Sequence, residues 1–490
     1  MSRRLPARSQ LRRTWRLGLL LAGLALAAGA GAQGRGQGVG LGGGVGNGAA
    51  GVGVGVTGLP PPGPPAQLPS LPDKANAKAT VRAREVLEKA AGLPPGLARQ
   101  PEALAARAGA AVSDLGHQQR RDRVQSLVMT HPERLSFDPQ GEPVVRGEAV
   151  LYDPAPALLQ AARDAGFTLA RERRLPALGI RVVVLAAPQG LDSAAALTRL
   201  RQIDPAAVQG FNHLYLPSGR TGSGSASVTA PRRPAAVADR IGLIDGGLDS
   251  DHPALRGLRL RRHGCDEPVP SAHGTATASL LAGHAEGFSG AVRARQLFAA
   301  DVYCGQPTGG ALDAVLEALA WMAQEKVPVI NISLVGPPNP LLERVVAQMN
   351  ARGHLLVAAV GNDGPAAPPL YPAAYPGVVG VSAVDPRRRV LPEAAQGPQV
   401  MLAAPGAELA VAAAGRDGYS VARGTSFAAP LVAGLLAGAL PAPQPEAARR
   451  AVEDLARAAT DLGPRGRDTV FGFGLVGESL RVAPSRVAAR

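Results

Sequence analysis

The sequence has few aromatic residues, few cysteines and few long apolar runs. Phe, Trp and Tyr make up 3% of the 490 residues, although hydrophobic residues reach 46%, so a core must be filled mainly by Ala, Val and Leu. The two cysteines, Cys265 and Cys304, have no CxxC or Cys/His spacing around them, which excludes the usual zinc sites. Beyond residue 32 no run reaches the roughly 18 apolar residues of a membrane span. What remains is a chain long enough for two or three globular domains.

The C-terminal half of the chain, from Ala236 onward, has no excess of positive charge. The formal net charge is +14, yet from Ala236 onward 23 Lys and Arg face 23 Asp and Glu. Affinity for nucleic acid comes mainly from clustered cations. We therefore expect no nucleic-acid partner.

The first 32 residues have the pattern of a secretory signal. "MSRRLPARSQLRRTWR" is basic, and "LGLLLAGLALAAGAGA" is an apolar run that predicts cleavage after Ala32. The alternative is an uncleaved membrane anchor. We expect an exported protein, periplasmic, on the cell surface or extracellular, without a stable membrane span after cleavage. In an oxidising compartment Cys265 and Cys304 should form a disulfide; two free buried thiols are the alternative.

Composition divides the chain into seven segments. They are a signal peptide (1–32), a Gly/Pro-rich low-complexity spacer (33–72), a helical, loosely structured region (73–143), a small domain (144–215), an exposed, cleavable linker (216–236), a larger domain (237–480) and a C-terminal tail (481–490).

The two domains differ in their pattern of strands and helices. Residues 144–215 predict the order β-α-β-β-α-β, which is typical of a small ferredoxin-like domain. After Ala236, short apolar runs such as "RIGLID" and "HLLVAAVGN" alternate with helical segments. This alternation predicts an α/β fold of three layers, a mostly parallel open sheet with helices on both faces.

Four polar residues stand where chemistry collects in such a sheet. Asp245 and Asn362 end strand-like runs, and His273 and Ser426 stand at the front of helical ones. Taken singly, Ser426 could be a helix cap, Asp245 and Asn362 turn residues, and His273 one histidine among eight. Together they supply a nucleophile, a base, an orienting carboxylate and an amide donor for an oxyanion.

Five motifs in order and spacing resemble those of the subtilisin-like serine peptidases (subtilases). They are "LIDGGLDSDHPAL", "HGTATASLLAG", "VINISLVGP", "VAAVGNDG" and "GTSFAAPLVAG", within about 240 residues. The resemblance implies Asp245 as orienting carboxylate, His273 as general base and acid, and Ser426 as nucleophile. Asn362 and the Ser426 N–H would form the oxyanion hole. A substrate-binding strand is implied at Ser333, Leu334, Val335 and Gly336.

The resemblance extends to the small domain and to the partners. By position and pattern, the domain at 144–215 is similar to a subtilase propeptide, which inhibits the enzyme, assists its folding and is then cut away. We expect self-cleavage between about Asn212 and Pro234, with "FNHLY" in the cleft beforehand. The resemblance implies a monomeric endopeptidase acting on proteins or peptides, with its own propeptide as a partner. No cofactor and no metal site are expected, because the loop after the His273 helix offers too few oxygen ligands for calcium.

Two other functions stay open. A catalytically silent subtilase-fold protein could act as a binding module in the cell envelope, although such proteins usually lack one of the three catalytic residues. An esterase or lipase would carry its serine in G-x-S-x-G, whereas Ser426 lies in "GTSFA".

Overall fold

The structure is a computed structural model that describes residues 116, 118–222, 226–227 and 236–486. The predicted signal peptide, the spacer and residues 73–115 lie outside the described residues.

Twenty-one strands and eight α-helices follow one another in the described part of the chain. The first group contains α1 (118–130), β1 (Leu135–Phe137), β2 (Pro143–Tyr152), α2 (Pro156–Asp164), β3 (Thr168–Leu175), β4 (Ile180–Ala186), α3 (Ser193–Ile203), β5 (Val208–His213), β6 (Leu216–Pro217), β7 (Arg220–Thr221) and β8 (Ala226–Ser227). The middle group contains β9 (Ala236–Asp245), β10 (Leu260–His263), α4 (Ala272–Ala282), β11 (His284–Ala285), β12 (Phe288–Ser289), β13 (Val292–Asp301), α5 (Leu312–Gln324), β14 (Val329–Ile332), β15 (Leu334–Val335), α6 (Pro340–Ala351) and β16 (Leu355–Ala359). The last group contains β17 (Val379–Val384), β18 (Val400–Pro405), β19 (Leu409–Ala412), β20 (Tyr419–Arg423), α7 (Thr425–Ala439), α8 (Pro445–Arg457), a 3₁₀ turn (Glu478–Leu480) and β21 (Ser485–Arg486).

The small domain is the predicted β-α-β-β-α-β unit with one added strand. Its antiparallel sheet has the order β1-β2-β4-β3, and β5 pairs with β2. Helices α2 and α3 cover one face through a cluster that includes Leu158, Leu197 and Leu200. The other face, with Val150 and Val182, joins the apolar cluster of α5 and α6, so the small domain packs on the larger one.

The larger domain is the predicted three-layer α/β fold. Seven parallel strands have the order β10-β13-β9-β14-β16-β17-β18. Because side chains alternate along a strand, Leu355 and Val357 of β16 face the layer of α4, α7 and α8, while Leu356 and Ala358 face α5 and α6. Strands β9 and β16 are the apolar runs quoted from the sequence, whereas the edge strands β10 and β18, and β13 beside β10, were not singled out there.

The segment after residue 215 differs from its prediction as an exposed linker. Strands β6 and β7 within it pair with strands of the larger domain, β15 and β20. Separately, among the described residues no helix is both long and apolar enough to cross a bilayer.

Candidate active site

The four polar residues singled out in the sequence lie along one edge of the parallel sheet. Asp245 is the last residue of β9, and Asn362 follows β16. His273 and Ser426 are each the second residue of a helix, α4 and α7. Carboxyl ends of parallel strands and the beginnings of the helices that follow them share an edge, which places these side chains in one region.

Asp245 and His273 form a buried pair. Both carboxylate oxygens of Asp245 lie 2.9 Å from Nδ1 of His273, and Asp245 has no exposed surface. The Gly246 N–H donates to Asp245 Oδ1 at 2.7 Å, which satisfies one side of the carboxylate. A carboxylate so held fixes the ring of the histidine and leaves Nε2 as its other reactive nitrogen.

Thr277 adds a contact that the sequence analysis missed. It lies one turn after His273 on α4, and its hydroxyl is 2.5 Å from the carbonyl oxygen of His273 and 3.2 Å from Asp245 Oδ2. The spacing i, i+4 within "HGTAT" is the local signal that could have found it, because such residues lie on one face of a helix.

Helix α7 does not begin with the side-chain cap that Ser426 taken singly could have been. The N-cap is Gly424, which has no side chain and takes φ +133°, a conformation that favours glycine. The Thr425 N–H instead donates to Oδ1 of Asn362 at 3.0 Å, so a side chain from another loop satisfies the helix terminus. Ser426 is thereby left free of a capping role.

A proline inside α7 releases the carbonyl group of Ser426. Pro430 has no N–H to donate to the carbonyl four residues before it. The hydroxyl of Ser333 donates to that carbonyl oxygen at 2.9 Å, and it also accepts from Asn331 Nδ2 at 2.9 Å. This network ties the start of α7 to the segment that carries β15.

The hydroxyl of Ser426 is fully buried and is not bonded to His273. It donates to the carbonyl oxygen of Ser333 at 3.1 Å, and its Oγ lies 2.7 Å from Oγ of Ser218. Within the described part of the chain, the buried His273 Nε2 has no hydrogen-bond partner. Ser218 of the same chain therefore lies directly beside the Ser426 hydroxyl.

The amide of Asn362 presents a donor at the same place. Its Nδ2 is buried and finds no hydrogen-bond partner among the residues described. A Cβ built on Gly424 would lie 3.2 Å both from this nitrogen and from the carbonyl oxygen of Ser218. Glycine at 424 thus leaves open the space that the Ser218 carbonyl and the Asn362 amide both border.

The residues before Ser218 lie in the cleft as an extended strand. Leu216 and Pro217 pair antiparallel with Val335 and Leu334, two of the four residues predicted to bind the substrate backbone. On the other side, the N–H of Tyr215 donates to the carbonyl oxygen of Gly310 at 2.8 Å. Of the predicted "FNHLY", only its last two residues enter the cleft, because Phe211–His213 belong to β5. Gly336, the fourth predicted binding residue, packs against the Tyr215 ring.

The residues after Ser218 continue across the cleft on its other side. Thr221 and Arg220 pair antiparallel with Ala422 and Arg423 of β20. Between the two paired segments stands Gly219. A Cβ there would overlap the ring of Phe427, which is itself tilted by 48° against the His273 ring with 5.3 Å between centroids.

Polar side chains hold the small domain on the helices of the larger one. Asn339, the N-cap of α6, bonds His213 Nδ1 at 3.0 Å, and His213 Nε2 lies 3.0 Å from Asp138. Arg171 donates to Asp313 at the start of α5 at 2.8 Å. Burial by itself raises the pKa of Asp138, but the His213 contact and backbone donors outweigh it, and the pKa is lowered.

The predicted disulfide is present and supports one wall of the cleft. Cys265 and Cys304 are bonded, with 5.5 Å between their Cα atoms. Asp301 accepts from the N–H groups of Tyr303 and Cys304 at 2.9 and 3.0 Å, and the Tyr303 hydroxyl donates to the carbonyl oxygen of Tyr215. Burial raises the pKa of Asp301, and its backbone donors offset this only in part.

Comparison with known protein sequences finds relatives of the larger domain. The model of the Subtilase family matches residues 240–474. The chain is 31% identical over 209 residues to subtilisin of Bacillus pumilus, which is 40% of this chain and 75% of that protein. It is 29% identical over 256 residues to the minor extracellular protease Epr of Bacillus subtilis (strain 168), covering 51% of this chain and 39% of Epr.

Among solved structures, fervidolysin from Fervidobacterium pennivorans, a keratinolytic enzyme related to subtilisin, superimposes with a TM-score of 0.57 at 18% identity. The match covers 71% of this chain and 62% of fervidolysin. The chain thus spans less than two thirds of both Epr and fervidolysin, and the likeness to the latter concerns the fold alone. From the family match and the extent of its similarity to subtilisin, this chain belongs to the subtilase family.

Proposed function

We propose that this chain is a serine endopeptidase made as a zymogen that cleaves itself. The observation that carries the proposal is the chain's own strand across the cleft, with Ser218 against Ser426 and paired segments on both sides. A substrate in the same extended form would be held by the same two strands, β15 and β20.

In the proposed reaction, Ser426 attacks a carbonyl carbon while His273 takes its proton. Rotation about the Cα–Cβ bond of Ser426 would turn the hydroxyl from the Ser333 carbonyl towards His273 Nε2. Asp245 holds the ring and stabilises the imidazolium that forms. His273 then gives the proton to the leaving amine, and water hydrolyses the acyl-enzyme in a second round of the same steps.

The oxyanion would be held by Asn362 Nδ2 and the backbone N–H of Ser426. The amide is already oriented, because its Oδ1 accepts from Thr425. One such donor contributes about 2.7–4 kcal/mol to the transition state.

The first bond to be cut is inferred to be that between Ser218 and Gly219. Ser218 is the residue that touches the nucleophile, and its carbonyl oxygen borders the space beside Asn362. The acyl group would remain on Ser426 until hydrolysis, and Gly219 would become a new N-terminus. This position falls within the range predicted from the sequence, between Asn212 and Pro234.

One experiment tests both parts of the proposal. The full chain and its Ser426→Ala variant are incubated with casein and with a fluorophosphonate probe, and the N-terminus of any processed fragment is sequenced. The unmodified chain should be processed to begin at Gly219, bind the probe and digest casein. The variant should stay intact, unlabelled and inactive.

A matched control is Ser289→Ala, a serine of β12, which should behave as the unmodified chain. Processing of Ser426→Ala to the same size would exclude self-cleavage. Intact casein and an unlabelled protein would favour the silent envelope-binding function.

The remaining expectations concern location and partners. Export is supported by the basic and apolar pattern of residues 1–32, by the disulfide and by the extracellular protease Epr among the relatives. We infer protein or peptide substrates, the small domain as an intramolecular inhibitor, and a monomer.

A further inference from the structure

Helix α1, upstream of the small domain, packs on the loop that carries the oxyanion donor. Gly116 stands two residues before the range given for α1, and a Cβ on it would overlap the carbonyl oxygen of Asp363 and lie 3.1 Å from the backbone nitrogen of Gly364. The backbone of Gly116 is therefore packed directly against the backbone of the two residues that follow Asn362. Residues 73–143 were expected to be loosely structured, but this part of them is in close contact with the cleft.

Arg120 of α1 bridges the two domains. Its guanidinium bonds both oxygens of Glu142 at 2.7–2.8 Å, and its Nε lies 3.2 Å from Oδ2 of Asp363. Glu142 stands immediately before β2 of the small domain, whereas Asp363 follows Asn362 in the larger one. The side chains of Arg120 and Asp363 are only 9% and 5% exposed.

Burial makes this bridge sensitive to the loss of any member. Burial of Arg120 lowers its pKa, but the hydrogen bond and charge of Glu142 and the charge of Asp363 outweigh it, so the guanidinium stays charged. Removing Arg120 takes a charged partner from the carboxylates of Glu142 and Asp363, and losing a partner from a buried ion pair costs more than breaking a surface pair. Arg121, the next residue on α1, is exposed and bonds only to Gln118 within its own helix in the described part of the chain.

We propose that the Asp363 loop is a docking site for α1, locked by Arg120, and that it is a further contact holding the N-terminal segment over the cleft. It adds to the contacts described above, which are the pairing of β6 with β15, the Asn339–His213 and Arg171–Asp313 bonds and the apolar face of the small domain. The inhibitory consequence rests on the proposed function. Once the bond after Ser218 is cut, α1, the small domain and β6 remain one fragment, still attached through Arg120 and these other contacts. Activity then appears only when this contact is lost as well.

The docking contact is tested without catalysis. In the full chain carrying Ser426→Ala, amide hydrogen exchange is followed for residues 118–130 and for the loop 361–364. Arg120→Gln should speed exchange in both segments by about tenfold, whereas Arg121→Gln should leave it unchanged. Unchanged exchange in β16 reports that the core remains folded.

A second variant should disrupt the same contact by a steric clash and without removing a charge. Gly116→Val places a side chain where the Asp363 carbonyl lies, and it should raise exchange in the same two segments. Equal exchange in the Arg120→Gln, Gly116→Val and Arg121→Gln chains would overturn the docking site.

The regulatory consequence is tested in the chain that keeps Ser426. Arg120→Gln should shorten the lag before casein digestion several-fold relative to Arg121→Gln. Equal lags in two active chains would overturn the inhibitory role of α1 while the proposed function stood. A chain that never digests casein, yet exchanges faster in Arg120→Gln, would overturn the proposed function and support the docking site.

Discussion

At the scale of single residues, side chains from other segments make the hydrogen bonds that helix α7 cannot make within itself. Asn362 accepts from the start of α7 with one atom and keeps its other atom for the cleft. Pro430 has no N–H to donate to the Ser426 carbonyl oxygen inside α7, and the Ser333 hydroxyl donates to that oxygen instead. Both arrangements fix Ser426 without using its hydroxyl, which would explain how one residue can start a helix and still be available to react.

Thr277→Val should lower kcat by about tenfold, since a hydrogen bond to a charged group contributes ~1.5 kcal/mol or more and the Asp245 carboxylate would lose one. KM should change little because the side chain keeps nearly the same shape, whereas the melting temperature should fall by a few degrees because buried acceptors lose a donor. Steady-state kinetics on a peptide substrate measure the two constants separately.

Thr277→Ser is the matched control, because it keeps the hydroxyl and should restore kcat. A Thr277→Val enzyme with unchanged kcat would show that the hydroxyl serves only the carbonyl group of His273.

At the scale of elements, the wall of the cleft depends on a short turn after β13. Asp301 and the disulfide fix this turn, and Tyr303 and Gly310 beyond it bond the backbone of Tyr215. The wall is therefore made of backbone and tyrosine hydroxyl groups held in place by a covalent link.

Replacing both cysteines, in Cys265→Ser/Cys304→Ser, should destabilise the protein. A bond closing a loop with a sequence separation of 39 contributes about 4 kcal/mol in the chain-entropy model. We expect the melting temperature of the Ser426→Ala chain to fall by about 5–10 °C. Calorimetry with and without reductant checks this.

Reductant should lower the melting temperature of the cysteine-containing chain to that of the double-serine chain and leave the latter unmoved. If the two chains melt alike without reductant, the link does not support the wall.

At the scale of the whole molecule, one contact between the two domains depends on an ionised group of the small domain, because Asp138 holds His213, which bonds Asn339 of the larger domain. The pKa of Asp138 is lowered in the folded chain by His213, with Arg120 also nearby. A carboxylate with a lowered pKa contributes stability that is complete above its unfolded pKa, about 3.9, and is lost as pH falls through the folded value.

The folded state should therefore lose stability as the pH drops below about 4. In the Ser426→Ala chain, the melting temperature measured from pH 6 to pH 3 should fall, and Asp138→Asn should make the fall shallower while lowering the value at pH 6. Asp164→Asn, on the exposed part of α2, should follow the unmodified curve. Parallel curves for all three chains would contradict a role for Asp138.

Much of the fold and part of the site were predictable, because they depend on local pattern. The apolar run "IGLI" before Asp245 identified a buried strand, and the rule that parallel strands share a carboxyl edge brought Asp245 near His273. What could not be predicted depends on pairs far apart in sequence. Ser218 meets Ser426 across 208 positions, and nothing near either residue signals the other.

The same limit explains the strands and contacts that were missed. Pairing of β6 and β7 with two separate strands follows from where the small domain docks, not from their own few residues. Arg120 stands in an Arg-rich helix whose other arginines look identical in sequence. Only the packed structure shows that this one reaches Glu142 and Asp363.

The ring of Phe427 lies beside both Gly219 and the imidazole of His273. The Phe427 ring occupies the position that a side chain on residue 219 would need, and its centroid lies 5.3 Å from that of the His273 ring. In the proposed self-cleavage, a bulkier residue at position 219 would displace this ring, and the ring would displace the imidazole. The residue tolerated after the proposed cleavage site and the alignment of the proposed base would thus depend on one aromatic side chain, in a protein that has few of them.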